Sequence, residues 1–208
     1  VPKRVDPEVR REQVADAVID EIAEHGLRSV TLARISARTG LAIGSIRHYF
    51  GDTLREVMRF TLSVLTQRVV RRATALSDDP VARITDAIVF AAPTDDRERR
   101  ENIALVEYRV MARTDQEFAA DIAASSLEGA EVIRSLLRDA LADRTIEEEA
   151  LRREALLLFA LVEGFSFSSA LLSVTLRETD VRAVVAATVQ RLRDSYPPVE
   201  EAAEDARN

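Results

Sequence analysis

The residues able to do chemistry are few and unevenly placed. The 208-residue chain has no Cys, and its only histidines are His25 and His48. That excludes a disulfide framework, a zinc ribbon and a thiolate nucleophile. It also leaves too few imidazoles for a His-rich metal site or a conventional Ser/His triad. A di-metal carboxylate bundle needs Glu-x-x-His pairs, and neither histidine has a Glu three positions before it. Glu147-Glu148-Glu149 reads more simply as a negative first turn favoured by the helix dipole. No catalytic set, metal site or cofactor is therefore expected. One isolated acid stands out: Glu163 is the single charge in the 22 residues from Ala155 to Leu176. Such a group is paired, or exposed at a kink beside Gly164, or holds a cation. The remaining chemistry is that of a polyanion partner, concentrated in the stretch from Gly26 to Phe50.

The elements that must position that stretch are helical. Val14, Ala17, Val18 and Ile22 keep helical spacing and stop at His25-Gly26. Thr31 stands where an N-cap belongs, ahead of Leu32, Ile35 and Ser36, and Gly40 closes a short helix. Ile43 to Phe50 gives a second short helix after a Gly-containing turn, the geometry of a helix-turn-helix. Small residues at Ser36 and Gly40 are expected to let the two helices approach closely. Ile35, Leu41, Ile46 and Phe50 are spaced to fill the core between them. Ala42, Ile43, Gly44, Ser45, Arg47 and His48 are left to point outward, with Gly44 keeping the helix start unobstructed.

Charge is divided along the chain. The total is −7, yet residues 1–72 carry a net +4 and residues 73–208 a net −11. A basic front on an acidic body puts a polyanion at the front alone. Arg outnumbers Lys 28 to 1, a mark of codon usage rather than of nucleic-acid binding. Six Pro, six Gly and 47% apolar residues point to a soluble, intracellular, all-helical protein. Residues 1–12 are charged and lack the apolar stretch of a signal peptide.

Beyond the break at Ser77-Asp78-Asp79-Pro80, helical patterns fill the body. Val81 to Ala92 is one. Ile103, Val106 and Val110 with Ala104, Tyr108 and Met111 are apolar on two faces, which predicts an enclosed helix. Phe118 to Leu141 is a long helix, irregular near Gly129. Ile146 to Val174 is apolar enough to be weighed as a membrane span, but its central Glu163 and several serines argue for a buried helix and no membrane. Val181, Val184, Val185, Thr188, Val189 and Leu192 stripe the last helix, which Pro197-Pro198 ends.

The segment Gly26–Phe50 closely resembles the DNA-binding domain of the TetR family of bacterial repressors. The family's Gly, Thr, Ile-Ala, Gly and Tyr-x-His/Tyr-Phe positions fall here, without gaps, on Gly26, Thr31, Ile35-Ser36, Gly40 and Arg47-His48-Tyr49-Phe50. Three departures stand out. Ala42 replaces the usual capping Ser, Arg47 replaces the first Tyr, and Asp52-Thr53 replaces a customary Lys. The resemblance implies that Thr31 and Tyr49 hold backbone phosphates. It also implies that Ala42, Ile43, Gly44, Ser45, Arg47 and His48 face the major groove. Tyr49 can equally serve by packing on the first helix. Lys3 and Arg4 could follow the duplex, although Arg4, like Arg10 and Arg11, reads more simply as a solvated face.

The family architecture implies an all-α fold of about nine helices. Residues 1–52 would be a three-helix helix-turn-helix head with its motif at 31–50. Residues 53–196 would be a ligand-binding and dimerisation body, and 197–208 a disordered tail. The implied function is a cytoplasmic transcriptional repressor that binds a near-palindromic operator in double-stranded DNA. It would act as a homodimer through the last two helices and be released by a small-molecule effector. Pocket candidates are Phe60, Phe90, Tyr108, Met111, Phe159, Glu163 and Phe167, the aromatics among which could instead be core. The competing readings are a helical protein–protein adaptor and, more remotely, a helical-bundle enzyme.

Overall fold

The structure is a computed structural model that describes residues 6–73, 77–93, 95–171 and 177–199. Lys3, Arg4, the side chain of Phe90 and residues 200–208 lie outside the described residues. Nine α-helices make up the described fold: α1 (Pro7–His25), α2 (Leu32–Thr39), α3 (Ile43–Phe50), α4 (Leu54–Ala73), α5 (Pro80–Ala91), α6 (Asp96–Ala112), α7 (Gln116–Ala140), α8 (Glu148–Leu171) and α9 (Glu178–Ser195). A 3-10 turn, Leu27–Ser29, joins α1 to α2. Among the described residues the only β pairing is an isolated bridge between Arg144 and Pro198.

Local chemistry sets the helix ends. Asp6, Thr31, Asp79 and Asp95 each accept a backbone N–H from the first turn of the helix they precede. Before α4, Thr53 Oγ1 accepts the Glu56 N–H at 3.3 Å while Glu56 accepts the Thr53 N–H at 3.2 Å, a reciprocal capping box. Ala42 has the extended backbone of an N-cap residue but no side-chain bond to give. Gly40 closes α2 in the left-handed region, with φ +70°. A Cβ there would meet nothing within 4 Å, so this Gly answers a backbone demand and not a close approach of helices. Ser36 contributes differently from the expectation too, donating its hydroxyl to the Leu41 carbonyl at 2.6 Å across the turn.

The helices form two compact units. The first comprises Val1–Arg68 with Asp95–Ile122, the second Val69–Thr94 with Ala123–Asn208. The first unit packs α1 against α2, α3 and α6. Its core gathers Val14, Val18, Ile22, Ile35, Ile46 and Phe50 with Val57, Leu62 and Leu65 of α4 and Ala104, Tyr108 and Phe118. α1, α2 and α3 thus share a core with α4 and α6. Tyr108 is fully buried and donates its hydroxyl to the Met58 carbonyl at 2.9 Å. Val110, expected inside an enclosed helix, is instead 57% exposed, because α6 turns one edge away from α1.

In the second unit α5 packs on α9 and α8. Ile84, Ile88, Leu137, Leu158 and Val185 are fully buried, each contributing roughly 1.5–3 kcal/mol of hydrophobic stabilisation. Arg182 of α9 pairs with Asp86 of α5 at 2.5 Å, and Arg193 with Asp143 at 2.7 Å. Residues 197–199, expected in a loose tail, are tied down: Thr145 N–H donates to Pro197 O and Val199 N–H to Asp143 O. α7 runs through Gly129 without a break, with the Phe159 ring packed over that position. The stripe on α9 is buried except at Val184.

α8, expected as a buried helix, is covered on one side within this chain. Leu151, Ala155, Leu158, Ser166 and Ser169 face the core. Leu156, Leu157, Phe167 and Leu171 are each at least half exposed. From Ala155 onward the helix has apolar residues on more than one side, and this unit covers only one of them. By length and composition alone α8 could also cross a membrane.

Candidate nucleic-acid interface

Three short-range devices hold the helix-turn-helix rigid. Ile35 and Ile46 have no exposed surface, and Phe50 retains 8%. Gln13 Nε2 of α1 donates to the Thr39 carbonyl at 3.1 Å, tying α1 to the end of α2. The third device is electrostatic. Glu21 of α1 is buried and accepts bonds from Ser29 Oγ at 2.8 Å and Arg38 Nε at 2.7 Å, with Arg34 also bonded to it. His25 Nδ1 lies 3.5 Å from the same carboxylate. Burial pushes the Glu21 carboxyl up, but the bonds from Arg38 and Ser29 and the nearby charges of Arg34 and His25 outweigh it. The group is held below the usual carboxylate range. This acid sits on the core face of α1, among the apolar positions that define the helix, and periodicity alone does not pick it out.

On this frame α3 presents one outward face. Ala42, Ile43, Gly44, Arg47 and His48 are exposed and Ser45 is half-buried, while Ile46 and Phe50 point into the core. A Cβ added at Gly44 would meet nothing within 4 Å, so the helix start is open. Thr31 is exposed at the start of α2; its Oγ1 accepts the Arg34 N–H at 3.2 Å, and the hydroxyl proton remains free to donate to an anion. Tyr49 packs against the first core and meets the His48 ring edge-on at 5.5 Å. Both readings of Tyr49 stay compatible with that position.

The basic front is largely spent on internal pairs. Arg55 pairs with Asp115 and Glu117, Arg59 with Asp121, and Arg68 with Asp16 and Glu101. Arg10 bonds Gln13. Arg11 does not sit on a plain solvated face: it pairs with Glu8 and lies 4.4 Å above the Phe60 ring. Arg47 keeps its charge free of any such partner among the described residues, on the outward face of α3. Arg47, His48 and the Thr31 hydroxyl are each exposed and are suited to phosphate and base-edge hydrogen bonds.

The pocket candidates fall in different units. Phe60, Tyr108 and Met111 share the first core. Phe159 packs on the second core, Glu163 is half-buried and partnered, and Phe167 is 53% exposed on α8. A cleft of about 390 Å³ in the first unit involves none of them; Asp16, Asp20 and Glu101 line it with Arg68, Arg97 and Arg100. Its charges pair with one another or with Glu24. No group of three or more acids or histidines among the described residues could hold a metal.

Residues 80–194 match the family model of the BetI-type transcriptional repressor, C-terminal domain. Over 99 residues the chain is 40% identical to the HTH-type transcriptional regulator BetI of Burkholderia mallei (strain NCTC 10229), which is 46% of this chain and 50% of that protein. The chain thus matches about half the length of these curated relatives. The fold is similar to that of a transcriptional regulator from Rhodococcus sp. Rha1 (TM-score 0.76, 21% identity, 89% of this chain and 97% of that one). It is also similar to a transcriptional regulator from Saccharomonospora viridis in complex with choline (TM-score 0.76, 14% identity, 88% of this chain and 96% of that one).

Proposed function

Because the chain belongs to the TetR family of transcriptional regulators, with the C-terminal domain of its BetI-type repressors, we propose that it represses transcription by binding operator DNA. The observation that carries this reading is the α3 face. Ala42, Ile43, Gly44, Ser45, Arg47 and His48 line an open helix side whose back, Ile46 and Phe50, is fixed in the core. Those six residues read bases in the major groove, and Thr31 and Tyr49 hold phosphates. Residues 1–52 act as the reading head and 53–196 as the regulatory body. Membership is in a family of regulators rather than enzymes, and such a regulator works in the cytoplasm, on the nucleoid.

Two copies form the working unit. Support comes from α8, whose exposed side carries Leu157, Phe167 and Leu171 at helical spacing with Ala160 and Gly164 between them. A two-fold dimer places two α3 helices on symmetric half-sites, so the operator is near-palindromic. A small molecule bound in the body releases the DNA, with coupling that must be reciprocal. The choline bound by the S. viridis regulator makes choline the first compound to try.

Selection of duplexes by the full chain from a random pool tests the reading. A recovered near-palindrome, with affinity that falls steeply as salt rises, supports it. Arg47→Ala should then cost about 1–3 kcal/mol of binding and relax preference at one base pair. Recovery of no preferred sequence, with salt-indifferent binding, would favour the adaptor reading instead.

A further inference from the structure

Arg28 is a cation that the functional reading leaves over. It belongs to the Leu27–Ser29 turn, three residues before the Thr31 cap, and its side chain is exposed. Between Asp6 and Arg68, the structure gives every other arginine except Arg47 an internal hydrogen bond or carboxylate. Arg28 makes no such contact among the described residues. Leaving an arginine unpaired beside a chain otherwise rich in acids keeps all five of its donors available.

The base from which Arg28 projects is fixed on both sides. Leu27 N–H donates to Glu107 Oε2 of α6 at 3.3 Å. Ser29 Oγ bonds Glu21 Oε1 and the Gly26 carbonyl, both at 2.8 Å. Val30 is 4% exposed and closes the turn through its N–H to Leu27 O. A guanidinium on a locked turn loses less freedom on binding than one on a loose loop. The same turn leads into the N-terminus of α2, where the Thr31 hydroxyl and the first backbone N–H groups favour an anion.

We infer that Arg28 is a phosphate-contacting side chain of the DNA interface, supplementing Thr31 at the entry to α2. This rests on the DNA-binding reading above. Arg28 positions the head on the duplex without reading sequence, in contrast to Arg47 on the α3 face.

The test uses the full chain, a duplex selected from a random pool, and a mixed-sequence duplex of equal length. Arg28→Ala, Arg28→Lys and the remote charge control Arg152→Ala are titrated across a salt series. Arg28→Ala should weaken both duplexes about tenfold at low salt. The salt slope should become shallower by about one unit for each bound protomer. Arg28→Lys should restore most of the slope, and thermal stability should not change. Equal slopes for Arg28→Ala and the unaltered chain, or a loss matched by Arg152→Ala, would overturn the assignment while leaving DNA binding intact. A loss confined to the selected duplex would make Arg28 a base reader and overturn the phosphate role. Failure of the unaltered chain to bind either duplex would overturn the DNA-binding reading, and this inference with it.

Discussion

Arg38 of α2 donates its Nε–H to the buried carboxylate of Glu21 on α1 at 2.7 Å, and its Nη2 to Glu24 at 2.5 Å. Glu24 in turn accepts from Arg100 of α6 at 2.9 Å. Two guanidiniums meeting at Glu24, those of Arg38 and Arg100, thus join three helices of the first unit. The bond explains why a nominally basic front has little charge to spare: its arginines hold the head together, and only a few are left for a partner.

Glu21 makes the head acid-sensitive. Its folded carboxyl titrates below the ordinary value of 4.5, through its arginine and serine bonds. The unfolded chain therefore binds the proton first. The stabilisation is complete above the unfolded value and is lost as pH falls through the lower folded one. Glu21→Gln should remove about 1–3 kcal/mol at neutral pH. It should also flatten the fall of the urea midpoint between about pH 5 and pH 3. Equal pH slopes in the variant and the unaltered chain would mean that Glu24 and other carboxylates carry the acid response.

Ala42 marks a place where the helix start is left unfinished. Its backbone, with φ −62° and ψ 145°, already has the extended form of a capping residue. Ala42→Ser needs no rearrangement to supply the missing acceptor and should raise stability by about 1 kcal/mol. A calorimetric melting temperature that does not rise would show that water already satisfies the N-terminal N–H groups of α3.

Two glycines of the motif should respond in opposite ways. Gly40 has φ +70°, so Gly40→Ala should destabilise the head by about 1–2 kcal/mol despite the empty space around it. Gly44 is helical and open, so Gly44→Leu should leave folding intact or improve it, yet obstruct the approach of α3 to a duplex. Circular dichroism melts and binding titrations on both variants separate the effects. Undiminished DNA affinity in folded Gly44→Leu would move the contact face away from the start of α3.

Much of this was legible in the sequence because it is local. Thr31, Gly40 and Phe50 each declare a cap, a left-handed stop or a core contact within one turn of helix, and α2 and α3 begin and end where those residues place them. The Thr53–Glu56 box was also local, and its signature of Thr followed three residues later by Glu is readable without any structure. What could not be read is relational. Glu21 is buried because Ser29, Arg34 and Arg38 converge on it from elements separated by loops, and no periodicity encodes that convergence. Val110 and the outer side of α8 show the same limit in reverse. An apolar residue on a helix signals that it could be buried, not that this chain supplies the cover. Most of the pocket candidates are aromatic, and residue type alone does not say that Tyr108 is sealed in one core while Phe167 stands exposed.

The outer side of α8 gives the sharpest prediction about assembly. Leu157, Ala160, Gly164, Phe167 and Leu171 recur at alternating intervals of three and four, the spacing of a helix–helix seam. Gly164 is exposed at the middle of that seam, and a Cβ there would meet nothing within 4 Å in this chain. Within one protomer, Gly164→Leu should therefore be neutral or stabilising, since Leu is the better helix former by about 1 kcal/mol. Across a close helix pair the same side chain would hold the backbones apart. Sedimentation should show a dimer for the unaltered chain and a shift toward monomer for Gly164→Leu, with helicity retained. Operator affinity should fall with it, because each half-site would then be bound by a separate head. Phe167→Glu should act in the same direction by placing a charge in the apolar seam. A dimer that persists in both variants would place the contact between copies elsewhere than on this side of α8.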